Sequence, residues 1–87
     1  MTQEQIEGNI NKYSTEPVFE IRFKSRNPIK GLFIKTVDFG ELSRKNLWRV
    51  VRQANIEEYK RTNNADLVRI FNGTAFSRLE AQKPGRK

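Results

Sequence analysis

The side chains in this sequence able to do chemistry are cations and amides. Arg22, Lys24, Arg26 and Lys30 lie close together along the chain, with Lys35 shortly after. Such a cluster can neutralise several phosphates, and contacts of that kind make binding steeply salt-dependent. The alternative for the same residues is a solvated outer face of a sheet. Trp48 stands among Arg44, Lys45, Arg49 and Arg52. An exposed indole beside arginines can stack a base, as single-strand binders do; a lone Trp in a small domain is more often a core or rim residue. Asn46 and Asn72 are amides that could hydrogen-bond a base edge, although turn chemistry by itself accounts for Asn72.

The residues that are missing narrow the chemistry further. There is no cysteine and no histidine, which removes thiolate and imidazole metal ligands, Ser-His and Cys-His nucleophile pairs and the commonest general base. No Gly-x-Gly-x-x-Gly, no phosphate-binding Gly-x-x-x-x-Gly-Lys and no Tyr followed four residues later by Lys occurs. Glu57 and Glu58 are adjacent, so on a helix they point about 100° apart, and they read as first-turn acids favouring the helix dipole. The expectation is a non-enzyme without cofactor or metal. The first residues are polar and acidic rather than basic and then apolar, and the run Leu32-Phe33-Ile34 is far too short to span a bilayer. A soluble, cytoplasmic protein is expected.

The formal charge of +7 is not confined to a tail. Residues 1–16 carry Lys12 against Glu4, Glu7 and Glu16, and residues 80–87 carry three bases against Glu80. Residues 17–79 hold thirteen bases against six acids. A basic fold points to nucleic acid or another polyanion, and a surface of solvated lysines and arginines is the bland alternative.

Positioning those cations requires a sheet. Asp66 to Leu79 places two β-branched and aromatic runs on either side of Asn72-Gly73, a dipeptide suited to a type I′ hairpin turn. Pro17 to Lys24 alternates Phe19, Ile21 and Phe23 against Glu20, Arg22 and Lys24, the period of a half-buried strand. Ser25 to Pro28 forms a turn. A second strand follows from Ile29 to Val37, with Gly31 marking a bend or bulge. It is apolar on both faces and therefore expected at the centre. Thr2 to Tyr13 reads as a short amphipathic helix, with Thr2 and Gln5 spaced as a capping box and Ile6, Ile10 and Tyr13 on one side. Residues 38–41 open a loop with one helical turn or a longer helix.

The segment 44–54 fits two descriptions. As a helix it gathers Leu47, Val50, Val51 and Ala54 on one face; as a strand over 46–52 it draws on the β propensity of Trp48 and the paired valines. The strand is favoured, followed by a short helix from Ile56 to Arg61 with Asn55 as its cap. Residues 62–66 form a turn, and the basic stretch from Gln82 to Lys87 lacks apolar residues and is expected to be disordered.

This order resembles the Sm-like barrels, including the bacterial Hfq type. Phe19, Ile21, Phe23, Gly31, Leu32, Ile34, Asp38 and Asn46 match the first Sm motif, and Ile70-Phe71-Asn72-Gly73 with Phe76 and Leu79 matches the second. The match spans residues 17–79, with a longer Asp38-to-Asn46 spacing and Asn72 in place of the basic residue. Segments around Asn27, Trp48 and Phe71 also resemble those of small bacterial proteins with no established activity.

The resemblance implies a mainly β fold with short helices: a five-stranded, SH3/Sm-like, partly open barrel over 17–79, preceded by an arm at 1–16 and followed by the tail at 80–87. A helix at 44–61 would instead make a ββαββ two-layer sandwich. The expected function is binding of single-stranded nucleic acid, RNA before DNA, through a basic sheet face of Arg22, Lys24, Arg26, Lys30, Lys35, Asn46, Trp48, Arg49 and Arg52. The alternative is a protein-interaction or assembly module, which could self-associate along the edge of the last hairpin as Sm-type barrels do.

Overall fold

The structure, a computed structural model, describes residues 1–12 and 18–81. Helix α1 (Gln3–Lys12) leads into strands β1 (Val18–Phe23) and β2 (Ile29–Phe33), then α2 (Phe39–Arg44) and β3 (Leu47–Arg52). Helix α3 (Ile56–Thr62), β4 (Val68–Asn72) and β5 (Phe76–Ala81) complete the chain of elements. Residues 44–54 therefore hold a strand, and the two-layer alternative with a helix at 44–61 is excluded. The expected docking of Tyr13, the strand start at Pro17 and the basic tail from Gln82 lie outside the described residues.

All five strands form one antiparallel sheet in the order β4-β3-β2-β1-β5. β2 is central, as its two apolar faces require: Gly31, Leu32 and Phe33 are all buried. The strand stops at Phe33, short of the expected Val37, which stands fully in solvent at 106 % relative exposure. Gly31 is needed for close approach, because a Cβ there would drive into the Val50 side chain and lie 3.0 Å from the Val51 carbonyl oxygen.

The hairpin expected at Asn72-Gly73 does not form. β4 pairs with β3 and β5 pairs with β1, so the two strands occupy opposite edges of the sheet. Asn72 keeps an extended backbone (φ −90°, ψ 121°), and its side chain accepts from the Thr74 N–H at 2.9 Å, capping a 3-10 turn over Gly73–Ala75. Gly73 is not left-handed; its reason is space, since a Cβ would strike the Asn46 amide and the Ile6 side chain. The Gly73 N–H is taken by the Asn46 carbonyl at 2.8 Å.

This short link decides the shape of the sheet. A flat five-stranded sheet would separate its outer strands by about 19 Å, while three residues in a 3-10 turn rise only about 6 Å. The sheet must curl to bring its edges together. Across the concave face Phe23 of β1 meets Phe71 of β4 at 5.8 Å and Phe76 of β5 at 5.4 Å. The sheet is curled but not closed, as β4 and β5 share no ladder.

The core fills this concavity. Phe19, Ile21, Phe33, Trp48, Val50, Phe76 and Leu79 pack with Ile6 and Ile10 from α1. The capping box is present: the Thr2 N–H donates to Gln5 Oε1 and the Gln5 N–H to Thr2 Oγ1. Burying two isoleucines offsets the marginal stability of so short a helix. At α3 the expected Asn55 cap makes no side-chain hydrogen bond, and the 3-10 turn Gln53–Asn55 leads into the helix instead. Asn63 ends α3 in the left-handed region (φ 54°), its N–H bonded to Tyr59 O at 2.7 Å.

Candidate functional site

Residues directly opposite each other on antiparallel strands share a face. Trp48 faces Phe71 and Val50 faces Arg69, so Trp48, Val50 and Arg52 on β3 lie on the same side as Phe71 and Arg69 on β4. Following that side along the strands leads out of the core: Trp48 and Val50 are buried, whereas Arg52 and Arg69 are exposed. The inner face of the sheet therefore ends in a cationic mouth. Arg26, on the turn after β1, joins it.

Together Arg26, Arg52, Val68, Arg69, Ile70 and Phe71 line an open groove of about 580 Å³. A second recess of about 380 Å³ continues beyond Arg52, lined by Pro28, Ile29, Lys30 and the 3-10 turn Gln53–Asn55. Arg52 is the wall common to both. Among the described residues no carboxylate stands within ion-pairing distance of Arg26, Arg52 or Arg69. Their charge faces the groove uncompensated. The Arg26 guanidinium lies over the Phe23 ring, its ζ-carbon 4.8 Å from the centroid, and 6.0 Å from the centroid of Phe71.

The outer face of β1 is different in kind. Glu20 is paired in register with both Lys30 and Glu80, and Arg22 with Arg78. Arg22 reaches Glu20 at 3.4 Å and Glu80 at 3.9 Å, while Arg78 reaches Glu80 at 3.2 Å. Charges of both signs alternate there. Lys24 is exposed near the Met1 amine, whose pKa falls below its ordinary value through desolvation and then through repulsion from Lys24. Lys35 reaches the Asn11 side-chain oxygen at 3.5 Å and lies over Phe39 at 5.4 Å. Arg49 is held by Asp38 at 2.8 Å, and its Nε is buried without a hydrogen-bond partner.

Two expected contacts prove to be internal. Trp48 is 1 % exposed and packs against Phe33 and Phe39, so its indole cannot stack a ligand. Asn46 has a left-handed backbone (φ 60°) and both ends of its amide are occupied. Its Oδ1 accepts from Trp48 Nε1 at 2.7 Å, and its Nδ2 donates to the Met1 carbonyl at 3.0 Å. The Met1 amine in turn donates to the carbonyls of Gly73 and Phe76, at 3.0 and 2.9 Å. Asn46 thereby ties α1, β3 and the β4–β5 link to one another. Asn46 is therefore not available to a base, and the Asn72 side-chain oxygen is engaged by the Thr74 N–H and hydroxyl.

Of the nine candidates from the sequence, then, the fold brings Arg26 and Arg52 to one groove and Lys30 to the recess beside it. Arg22, Lys24, Lys35, Arg49, Asn46 and Trp48 lie elsewhere or are otherwise engaged. The residues missed are Arg69 and Phe71. Their i, i+2 spacing does put them on one face, a signal that would have identified them had β4 been assigned to β3's edge.

Comparison of the chain with protein-family models, curated proteins and solved structures gave no match.

No helix among the described residues is long and apolar enough to cross a membrane.

Proposed function

We propose that this is a small non-enzymatic nucleic-acid-binding protein that takes a single strand, RNA before DNA, across the mouth of an SH3/Sm-like curled sheet. The observation that carries the reading is the convergence of Arg26, Arg52 and Arg69, without carboxylate partners among the described residues, around Phe71 on one open groove. Cations positioned this way neutralise backbone phosphates, and a groove with an aromatic wall favours unstacked bases over a duplex.

The test is fluorescence anisotropy of a labelled RNA oligonucleotide across a salt series. Each arginine that neutralises a phosphate contributes about −0.7 to the slope of log affinity against log salt for a single strand. Arg52→Ala and Arg69→Ala should each weaken binding and flatten the slope by about 0.7. Arg22→Ala, in a residue shared between Glu20 and Glu80, should leave both nearly unchanged. No anisotropy change at low salt with either RNA or DNA would refute the proposal.

A second reading, a protein-interaction module, draws on one observation. β4 is an edge strand with Ile70 half in solvent, at 50 % relative exposure, and an open edge can accept an extended partner segment. Sedimentation and pull-down experiments with Arg52→Ala separate this from the first reading, because Arg52 lies on β3 and its loss leaves the β4 edge in place.

A further inference from the structure

The three arginines of the groove are not equivalent. Arg52 and Arg69 project from adjacent strands as charges, whereas Arg26 is laid on an aromatic surface. That surface is itself fixed. Phe23 stands edge-on to Phe76, with centroids 5.4 Å apart at 80°, and is tilted against Phe71 at 5.8 Å. Phe76 is fully buried and packs edge-on against Phe33 at 6.5 Å. The ring beneath Arg26 is thus the outermost member of an aromatic cluster rooted in the core.

A guanidinium over a ring is held by cation–π attraction and has lost little hydration, because it is planar, delocalised and weakly solvated. Arg26 is nonetheless exposed and lines the groove, so part of its surface remains accessible. A cation whose only task was to meet phosphate does not require an aromatic cluster beneath it. A base, by contrast, stacks on an arginine plane as it does on a ring.

We propose that Arg26 is the stacking platform of the site: one base of a bound single strand lies on its open surface, extending the aromatic cluster outward, while Arg52 and Arg69 hold the flanking phosphates. This rests on the nucleic-acid reading above. Base stacking is indifferent to sequence because every base has a π face, so the platform provides affinity for unpaired strands without a base code. It also disfavours a duplex, whose bases are already stacked.

The experiment compares wild-type protein, Arg26→Lys and Arg69→Lys, all of which keep the same charge. Each is titrated into an RNA oligonucleotide carrying 2-aminopurine, whose fluorescence is quenched on stacking, with anisotropy of a separate end label read in parallel. Far-ultraviolet circular dichroism checks that the variants fold. Wild type should quench the probe on binding. Arg26→Lys should weaken binding about five-fold or more and abolish the quenching, with the salt slope unchanged. Arg69→Lys should stay within about two-fold of wild type and keep the quenching, since Lys serves as a point charge toward phosphate. Binding that is undiminished and still quenched in Arg26→Lys would overturn the platform, as would wild-type binding without quenching. An oligonucleotide that does not bind wild type at all would remove the nucleic-acid reading and the platform with it.

Discussion

Replacing Asn46 by alanine removes three things at once. The Trp48 N–H, buried with its indole, loses its acceptor, at a cost of about 1–3 kcal/mol for an unpaired donor. The bond from Nδ2 to the Met1 carbonyl is lost, which is worth about 0.5–1.5 kcal/mol. Alanine must also hold φ near 60°, adding about 1–2 kcal/mol over a residue that tolerates the left-handed region. The expected loss is about 4 kcal/mol, set against a total of about 4–13 kcal/mol for a chain of this length. Urea unfolding followed by Trp48 fluorescence measures it directly, and the buried indole makes the signal a report on the core. The substitutions Asn46→Gly and Asn46→Asp separate the contributions. Glycine relieves the backbone but not the hydrogen bonds, so it should be milder than alanine by about 1 kcal/mol. Aspartate keeps both the acceptor and the left-handed tolerance, and should be the mildest, at about 1 kcal/mol. If alanine and glycine prove equal, or aspartate proves as damaging as alanine, the structural role assigned to Asn46 is wrong.

Three further outcomes are expected. Gly31→Ala should destabilise the fold by about 1–3 kcal/mol through overpacking, because its Cβ meets Val50 and the Val51 carbonyl; an unchanged thermal midpoint would show that the strands can part. Asn72→Ser should be close to neutral, since Ser caps as well as Asn, while Asn72→Ala should cost about 1 kcal/mol; a type I′ turn would instead penalise Ser as well. The third concerns acid. The hydrogen bond from Arg49, followed by that from Thr36, holds the Asp38 carboxyl below its ordinary value of 3.8. Its folded pKa being the lower one, the unfolded state binds the proton first as pH falls. The stabilisation is complete above the unfolded value and disappears as pH drops through the folded one. The stability gap between wild type and Asp38→Asn should therefore narrow in that acid window, and a gap constant through it in urea titrations would contradict the assignment.

Local patterns made the strands legible. The alternation of Phe19, Ile21 and Phe23 specified β1, the covered run at Leu32 and Phe33 placed β2 at the centre, and Trp48 with the paired valines selected a strand over 46–52, where β3 runs from Leu47 to Arg52. Partner choice is not a local property, and there the reading failed. Asn72 is as well suited to cap a 3-10 turn as to enter a type I′ turn, and only the claims of β3 and β1 on the two flanking strands decide between them. The site suffered from the same blindness. Arg49 looked free in sequence because the carboxylate that holds it, Asp38, arrives from another segment, and Arg22 is shared between Glu20 on its own strand and Glu80 from β5. Arg69 looked incidental until β4 was seen beside β3, where its side chain shares a face with Arg52.

The link at Gly73–Ala75 also imposes an order of assembly. The last strand must return to the first: Ser77 Oγ bonds the Arg22 carbonyl 55 positions earlier in the chain. Closing a loop of that length costs about 3.5 kcal/mol in its length-dependent part alone, so β5 is expected to dock late and to slow folding for so small a domain. Until residues 76–81 are in place, β1 has β2 on one side and nothing on the other. It passes that interval as an open edge, exposed to pairing with any extended neighbour. Glu20, Arg22 and Lys24, whose charges are unremarkable once the sheet is complete, are the protection an unfinished edge requires.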